Sequence, residues 1–188
     1  HKTLLIISKE KNFDLLEKYL QESEPVEINL SALPLVEYLS SVVVSQQLST
    51  KAAKTIWLRV HPIINAHTNY QNLETELHSA GLSKSKANYV IGLINNLKLS
   101  SLQRSDLKEL SNIEFENLLS ANKGIGPWSV QMARMFFLGD TDVMPINDLG
   151  IKHAHEYFFN EHEMSEKFYE PFRPWRTYLS LLMWKSLS

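Results

Sequence analysis

The chain has 188 residues, of which 44% are hydrophobic, a size and composition that suit one globular domain or two closely packed lobes. It contains no cysteine, which excludes disulfides, thiolate zinc sites and iron–sulfur clusters and is consistent with a reducing cell interior. Its apolar runs are short, so no membrane span is predicted, and the net charge of −2 allows nucleic-acid binding only through a local basic patch.

Helical periodicity extends over nearly the whole chain, beginning with an apolar stripe between Phe13 and Leu20. A polar connection, residues 21–34, follows this stripe. The valine run at residues 42–44 is also compatible with a strand, but the flanking Leu, Glu and Gln residues continue a helical pattern. The predicted helices span approximately residues 35–48, 50–60, 69–79, 83–98, 105–110, 113–121, 127–138, 149–159, 165–172 and 174–187. These predictions describe an all-α protein.

Two glycines, Gly124 and Gly126, stand one residue apart between two predicted helices. Glycine takes backbone angles that other residues resist, which suits a tight turn. At the start of the second helix, the amides of Gly126, Trp128 and Ser129 have no partner within the helix, and the helix dipole adds positive charge there. The pattern indicates a helix-hairpin-helix at about residues 113–138 that holds a phosphate without reading bases. An ordinary packing corner between two helices is the alternative.

A carboxylate, Asp148, directly precedes the predicted helix over residues 149–159, where aspartate is a favoured N-cap. Taken alone, Asp148 is most simply explained as a cap. Together, the hairpin and residues 145–148 (Pro-Ile-Asn-Asp) resemble the helix-hairpin-helix/Gly-Pro-Asp (HhH-GPD) superfamily of DNA base-excision glycosylases. Three further segments resemble the alkyladenine branch of that superfamily, namely residues 43–49, 81–87 and 173–178.

The resemblance covers roughly residues 35–187 and implies one HhH-GPD domain over residues 1–188, built as two helical lobes with a cleft between them. It implies a monomer that acts on damaged double-stranded DNA, is found with DNA inside the cell and does not use a membrane. The implied reaction flips an alkylated purine, of the 3-methyladenine or 7-methylguanine type, out of the duplex and hydrolyses its N-glycosidic bond.

In the family, the aspartate that matches Asp148 is catalytic and stabilises an oxocarbenium-like sugar. A cap position also holds a carboxylate rigidly, so the two roles are compatible. Positions matching Trp128 and Trp184 line the base pocket, where an indole face attracts a cationic base, while core packing is the alternative for both. Met132 stands where the branch has a tyrosine, which leaves the preferred lesion open.

Gln47 is the candidate for the side chain that enters the gap left by the flipped base, and a polar helix end is the alternative for Gln46 and Gln47. Bifunctional relatives carry a Schiff-base lysine two residues past the second hairpin glycine. Trp128 occupies that position here, which indicates a monofunctional enzyme that uses water. The predicted DNA contacts are Gln47, Lys123, Gly124, Gly126 and Ser129.

The seven histidines show no metal-binding spacing, so we expect no transition metal and no organic cofactor. The resemblance implies a Na⁺ or K⁺ ion on the hairpin carbonyls. Further basic residues near the motifs are candidates for the local patch, namely Lys84, Lys86, Arg134, Lys152, Arg173 and Arg176.

A noncatalytic helix-hairpin-helix module that only binds DNA is the alternative function. Three departures from the family pattern favour it: Lys123 replaces the usual hairpin proline, Asn147 occupies a position that is often acidic, and Met132 replaces an aromatic residue. All three leave Asp148 in place, which favours the enzyme.

Overall fold

The computed structural model describes residues 1–66 and 72–187, and every regular element within these ranges is a helix, which confirms the predicted all-α class. The α-helices are α1 (Lys2–Glu10), α2 (Asp14–Glu22), α3 (Leu35–Ser45), α4 (Thr50–Ala66), α5 (Leu73–Ser79), α6 (Lys84–Ile94), α7 (Leu97–Ser101), α8 (Arg104–Lys108), α9 (Asn112–Ser120), α10 (Pro127–Ala133), α11 (Leu149–Phe159) and α12 (Arg176–Lys185). A π-helical turn, Arg134–Leu138, follows α10, and a 3₁₀ turn, Glu170–Phe172, precedes α12. Each described helix falls short of the length and apolar character that a bilayer crossing needs.

The chain forms two compact units, and unit 1 comprises His1–Leu30 together with Arg134–Ser188. Its core combines apolar residues from both segments. The Phe13 ring meets the Phe159 ring edge-on at 5.0 Å between centroids and stacks on Phe172 at 6.0 Å. Helices α11 and α12 pack against each other, which brings the start of α11 close to the end of α12.

Unit 2 comprises Ser31–Ala133, and α3 is its central helix, packed against α4, α6 and α10. The valine run of α3 is buried, which explains why a helix can carry three consecutive apolar residues there. The Tyr38 hydroxyl donates to the Met132 carbonyl at 2.7 Å, which ties α3 to α10. Burial raises the pKa of Tyr38 well above its ordinary value, so the hydroxyl stays protonated and remains a donor.

Helix α4 is longer than predicted, because it continues beyond residue 60 and contains Pro62. A proline in a helix removes the hydrogen bond to the carbonyl four residues earlier, here that of Leu58. Leu58 is 65% exposed, so this carbonyl lies on the solvent side of the helix, where water can replace the lost donor. The buried residues Val60 and Ile64 continue the apolar stripe past the proline.

Two other predicted helices were wrong in part. The helix expected over residues 83–98 is interrupted, because the Asn96 side chain caps α7 by accepting the Leu99 amide at 3.1 Å. The helix expected over residues 165–172 consists of turns and the short 3₁₀ segment, where Pro171 has no amide hydrogen to donate. The helix predicted over residues 69–79 is observed as α5, and its expected start at residues 69–71 lies outside the described residues.

Candidate catalytic and DNA-binding site

The turn between α9 and α10 is the predicted hairpin. It begins at Ala121, after α9, and ends where Pro127 starts α10. Gly124 has a φ of +88°, and a Cβ at this position would lie 2.8 Å from the Cβ of Tyr89 and overlap its ring. Both the backbone angle and the packing therefore require glycine at position 124.

A Cβ added to Gly126 would point into open space. No atom is within 4 Å of the position that its Cβ would take, and its backbone is not in the left-handed region. The hydrogen-bond ladder of α10 begins where the Val130 amide donates to the Gly126 carbonyl at 3.1 Å, so the amides that precede Val130 in α10 lie outside the ladder. Amides at this position of a helix favour an anion, and the space beside Gly126 leaves room for one.

The segment that follows α3 is tied to the hairpin. The side-chain amide of Gln46 donates to the Gly124 carbonyl at 2.8 Å and to the Ser129 hydroxyl at 3.0 Å. From α6, the Lys86 ammonium donates to the carbonyls of Val44 at 2.8 Å and of Gln46 at 2.6 Å, where its charge complements the C-terminal end of α3. Burial lowers the pKa of Lys86 below its ordinary value.

Gln47 is exposed and has a φ of +58°. Residues other than glycine are uncommon in this left-handed region, and they cluster at functional sites when the surrounding structure holds them there. The anchors supplied by Gln46 and Lys86 provide that restraint. Gln47 is therefore exposed on a turn that is anchored through Gln46, and its insertion into DNA stays a prediction.

Three arginines that were candidates for a basic patch form ion pairs within unit 1. Arg134 pairs with Asp140 at 2.6 Å, and Asp142 accepts hydrogen bonds from Arg173 at 2.8 Å and from Arg176 at 2.6 Å. Burial alone raises the pKa of Asp142, but the hydrogen bonds and charges of Arg176 and Arg173 outweigh burial and hold the pKa below its ordinary value. These arginines are engaged in ion pairs within unit 1, and Arg173 stays half exposed.

Lys123 keeps its charge at the surface. It is exposed in the hairpin turn, directly before Gly124, and within residues 1–66 and 72–187 it forms no ion pair. An exposed ammonium beside a candidate phosphate seat is suited to a backbone contact with DNA.

Asp148 is the N-cap of α11, as predicted. Its Oδ1 atom accepts the Ile151 amide at 3.0 Å and the indole Nε1 of Trp184 at 2.8 Å. The Trp184 ring also stacks on Phe136, with the ring centroids 6.3 Å apart and an interplanar angle of 30°. These contacts fix the carboxylate relative to both α11 and α12.

The other predicted pocket residues are divided between the units. Trp128 and Met132 lie on α10 in unit 2, whereas Trp184 lies on α12 in unit 1. Met132 is 7% exposed, and its backbone is held by the hydrogen bond from Tyr38. The roles of all three residues in a base pocket stay predictions.

Two residues of the site have contacts that the sequence did not predict, namely Lys86, which caps α3, and Phe136, which stacks on Trp184. Lys86 lies within the segment 81–87 that resembles the family, and this was the signal that pointed to it. Phe136 belongs to the apolar stripe of the second hairpin helix, and nothing in that stripe indicated its partner.

A family model of the HhH-GPD superfamily, described as base excision DNA repair proteins, matches residues 40–176. The chain belongs to the HhH-GPD superfamily. The match includes the hairpin, the Gln46–Gln47 turn and Asp148, and it ends before Trp184. The predicted resemblance is confirmed.

Relatives place this HhH-GPD chain in the alkyladenine branch. DNA-3-methyladenine glycosylase 1 of Schizosaccharomyces pombe is 32% identical over 163 residues, which cover 80% of this chain and 71% of the relative. DNA-3-methyladenine glycosylase of Saccharomyces cerevisiae is 30% identical over 142 residues, which cover 69% of this chain and 48% of the relative. The chain thus spans about half of the second relative's length.

Solved structures share the fold. A DNA-3-methyladenine glycosidase from Bacillus halodurans superimposes with a TM-score of 0.72 and 26% identity over 96% of this chain and 86% of that chain. The S. pombe 3-methyladenine DNA glycosylase Mag1, in complex with abasic DNA, gives a TM-score of 0.74 and 24% identity over 92% of this chain and 90% of that chain. At 24% identity, the similarity to Mag1 shows a shared fold and nothing more.

Proposed function

We propose that this HhH-GPD protein is a monofunctional DNA glycosylase that removes alkylated purines from duplex DNA and so begins base excision repair. The observation that carries the proposal is the position of Asp148. Its carboxylate is held by the Ile151 amide and the Trp184 indole. The resemblance implies that Asp148 matches the family's catalytic aspartate. The names of the relatives support alkylated bases of the 3-methyladenine type as substrates. The family resemblance extends the proposal to bases of the 7-methylguanine type.

In the proposed reaction, the bond between the sugar C1′ and the purine nitrogen breaks, the bonding electrons leave with the base, which departs neutral, and water adds to C1′ and releases one proton to solvent. The sugar passes through an oxocarbenium-like state, which the Asp148 carboxylate stabilises while it orients the water. Because the hydrogen bonds to Asp148 are formed before the reaction, little reorganisation is needed during it. An alkylated purine already carries positive charge, so it leaves without a general acid.

Base recognition is assigned to the aromatic residues of the predicted pocket. Trp128, Met132 and Trp184 keep their predicted roles in base recognition as proposals. An electron-rich indole face attracts a cationic purine, and methionine is a polarizable, adaptable side chain.

Binding of the DNA backbone is assigned to the hairpin. The amide of Gly126 and the ammonium of Lys123 are the proposed phosphate contacts, around the turn that Gly124 allows. Ser129, also predicted as a DNA contact, is only 1% exposed, and its hydroxyl instead accepts from Gln46. Gln47 is proposed to fill the gap left by the flipped nucleotide. In this proposal the partner is damaged double-stranded DNA, and the protein acts as a monomer wherever the cell keeps its DNA.

A Na⁺ or K⁺ ion is also proposed for the hairpin, as the resemblance implies. Backbone carbonyls suit such ions because they replace the hydration shell. The Gly124 carbonyl accepts from Gln46 and the Asn122 carbonyl accepts from Ile125, so among the described residues the carbonyls of Lys123 and Ile125 are the candidate ligands. When bound, the ion would supply positive charge beside the phosphate. No other cofactor is part of the proposal.

Excision from methylated duplex DNA, followed by alkali to cut abasic sites, tests this function. Wild-type protein should release alkylated purines, and Asp148→Asn should lower the single-turnover rate by about 100-fold or more. The variant should keep its fold, because the Ile151 and Trp184 donors both point to Oδ1 and the asparagine carbonyl oxygen can accept both.

Near wild-type excision by Asp148→Asn would refute the catalytic role and leave Asp148 as a cap. DNA binding without any excision by the wild-type protein would instead favour the noncatalytic module.

A further inference from the structure

Gly150 lies in the first turn of α11, two residues after Asp148, and its own backbone does not require glycine. Its φ is outside the left-handed region, and it is an ordinary helical residue. At such a position alanine is more favourable than glycine by roughly 1 kcal/mol. Helix propensity therefore favours another residue at position 150, and the reason for glycine lies in the atoms around it.

The surroundings of Gly150 are the two partners of the hydrogen bond at the site. A Cβ on Gly150 would lie 2.9 Å from Cδ1 and 3.1 Å from Nε1 of Trp184, and 3.1 Å from Oδ1 of Asp148. An indole is a rigid bicyclic ring, so it cannot relieve this crowding by moving one terminal atom. The whole ring would have to shift, which would stretch the 2.8 Å bond from Nε1 to Oδ1 and disturb the stack on Phe136.

We propose that Gly150 is a positioning residue whose missing Cβ lets the Trp184 indole lie against the first turn of α11 and hold the Asp148 carboxylate. The inference rests on the proposed function, in which that carboxylate acts on the sugar. It gives Trp184 a role distinct from lining a base pocket, because the indole N–H restrains the catalytic group. A displacement of about 1 Å at a reacting centre can cost about 100-fold in rate.

Gly150→Ala is the test, with Gly92→Ala as the matched control. Gly92 is also helical, within α6, and no atom lies within 4 Å of the position of its Cβ, so alanine adds helix propensity there without crowding. Gly150→Ala should lower the single-turnover excision rate by about 10- to 100-fold. Its affinity for undamaged duplex and its circular dichroism spectrum should stay unchanged, and Gly92→Ala should keep the wild-type rate.

A double-mutant cycle separates positioning from general damage. Trp184→Phe removes the N–H donor and with it Nε1, one of the two indole atoms that crowd the new Cβ, and it should itself lower the rate. Adding Gly150→Ala to Trp184→Phe should then have a smaller effect than in the wild-type protein, because the N–H bond through which alanine acts is already gone and the approach to Oδ1 of Asp148 remains. Fully additive losses would overturn the inference.

The indole N–H resonance of Trp184 provides a readout that does not depend on activity. Its assignment follows from its loss in the Trp184→Phe variant. Gly150→Ala should shift this resonance and speed its exchange with solvent, and Gly92→Ala should do neither. An unchanged resonance in Gly150→Ala would refute the inference. A shifted resonance in a protein whose wild-type form excises nothing would support the positioning contact and refute the proposed function.

Discussion

Replacing Gly126 with alanine distinguishes a phosphate seat from a packing corner, because we expect no damage to the fold. No atom lies within 4 Å of the added Cβ, and the backbone is not left-handed. Where the native backbone accommodates alanine, this replacement stabilises a protein by about 0.4–1 kcal/mol through the unfolded chain. A loss of DNA affinity in Gly126→Ala would therefore be a direct effect on the contact with DNA.

The size of that loss follows from the contact that is removed. A hydrogen bond between a backbone amide and a charged phosphate is worth about 1.5–3 kcal/mol. A methyl group beside the amide keeps the phosphate from reaching it, so affinity should fall roughly 10- to 150-fold. Backbone contacts carry no base information directly, so damaged and undamaged duplexes should lose the same factor.

Fluorescence anisotropy of labelled duplexes at one fixed salt concentration measures both affinities. Gly124→Ala is the contrasting variant, since its φ of +88° and the overlap with Tyr89 should lower the free energy of unfolding in urea. That loss should be about 1–3 kcal/mol. If Gly126→Ala binds both duplexes as tightly as the wild-type protein does, the hairpin is an ordinary packing turn between two helices and not a phosphate-binding site. A loss confined to damaged DNA would place Gly126 at the base pocket instead.

Lys123→Gln should reduce the slope of log affinity against log salt concentration by the amount of about one phosphate contact. Lys86→Gln should keep that slope and lower the free energy of unfolding, because Lys86 bonds carbonyls of its own chain. Equal slope changes in the two variants would contradict this assignment. Burial alone raises the pKa of Asp142, but its arginine partners hold the pKa below the ordinary aspartate value overall. The contribution of Asp142 to stability is therefore complete above the ordinary aspartate pKa and is lost as the pH falls through the lowered pKa. Urea unfolding of Asp142→Asn should accordingly show a weaker fall in stability below about pH 4 than the wild-type protein, and an identical fall would argue against this role. Borohydride should trap no covalent adduct with damaged DNA, since Trp128 cannot form a Schiff base; an adduct mapped to Lys123 would overturn the monofunctional proposal.

Local signals predicted the elements that carry the site. Helix α11 has its predicted bounds, Leu149–Phe159, because Asp148 supplies a strong side-chain cap and the apolar spacing after it is regular. The second hairpin helix begins at Pro127, as predicted, because proline suits the first helical position. In both cases the residues that determine the structure are neighbours in the chain.

Features that depend on distant residues could not be predicted from the sequence. The Gln46 side chain and the Gly124 carbonyl are 78 residues apart, and Lys86 reaches a carbonyl 42 residues away. The importance of Gly150 depends on an indole that no local pattern places beside it. The continuous helix predicted over residues 83–98 was wrong for a different reason. The apolar residues on either side of Asn96 continue a helical period, although Asn96 itself acts as a cap and starts a new helix.

Unit 1 is discontinuous in the chain, with Ser31–Ala133 inserted between its two segments. On the ribosome, α1 and α2 are synthesised before unit 2, yet Phe13 meets its ring partners only after Phe159 and Phe172 have been made. Unit 2 is one continuous segment and is complete before either partner emerges. The faces of α1 and α2 that pack on the second segment of unit 1 therefore stay uncovered while unit 2 is made, which exposes them to aggregation.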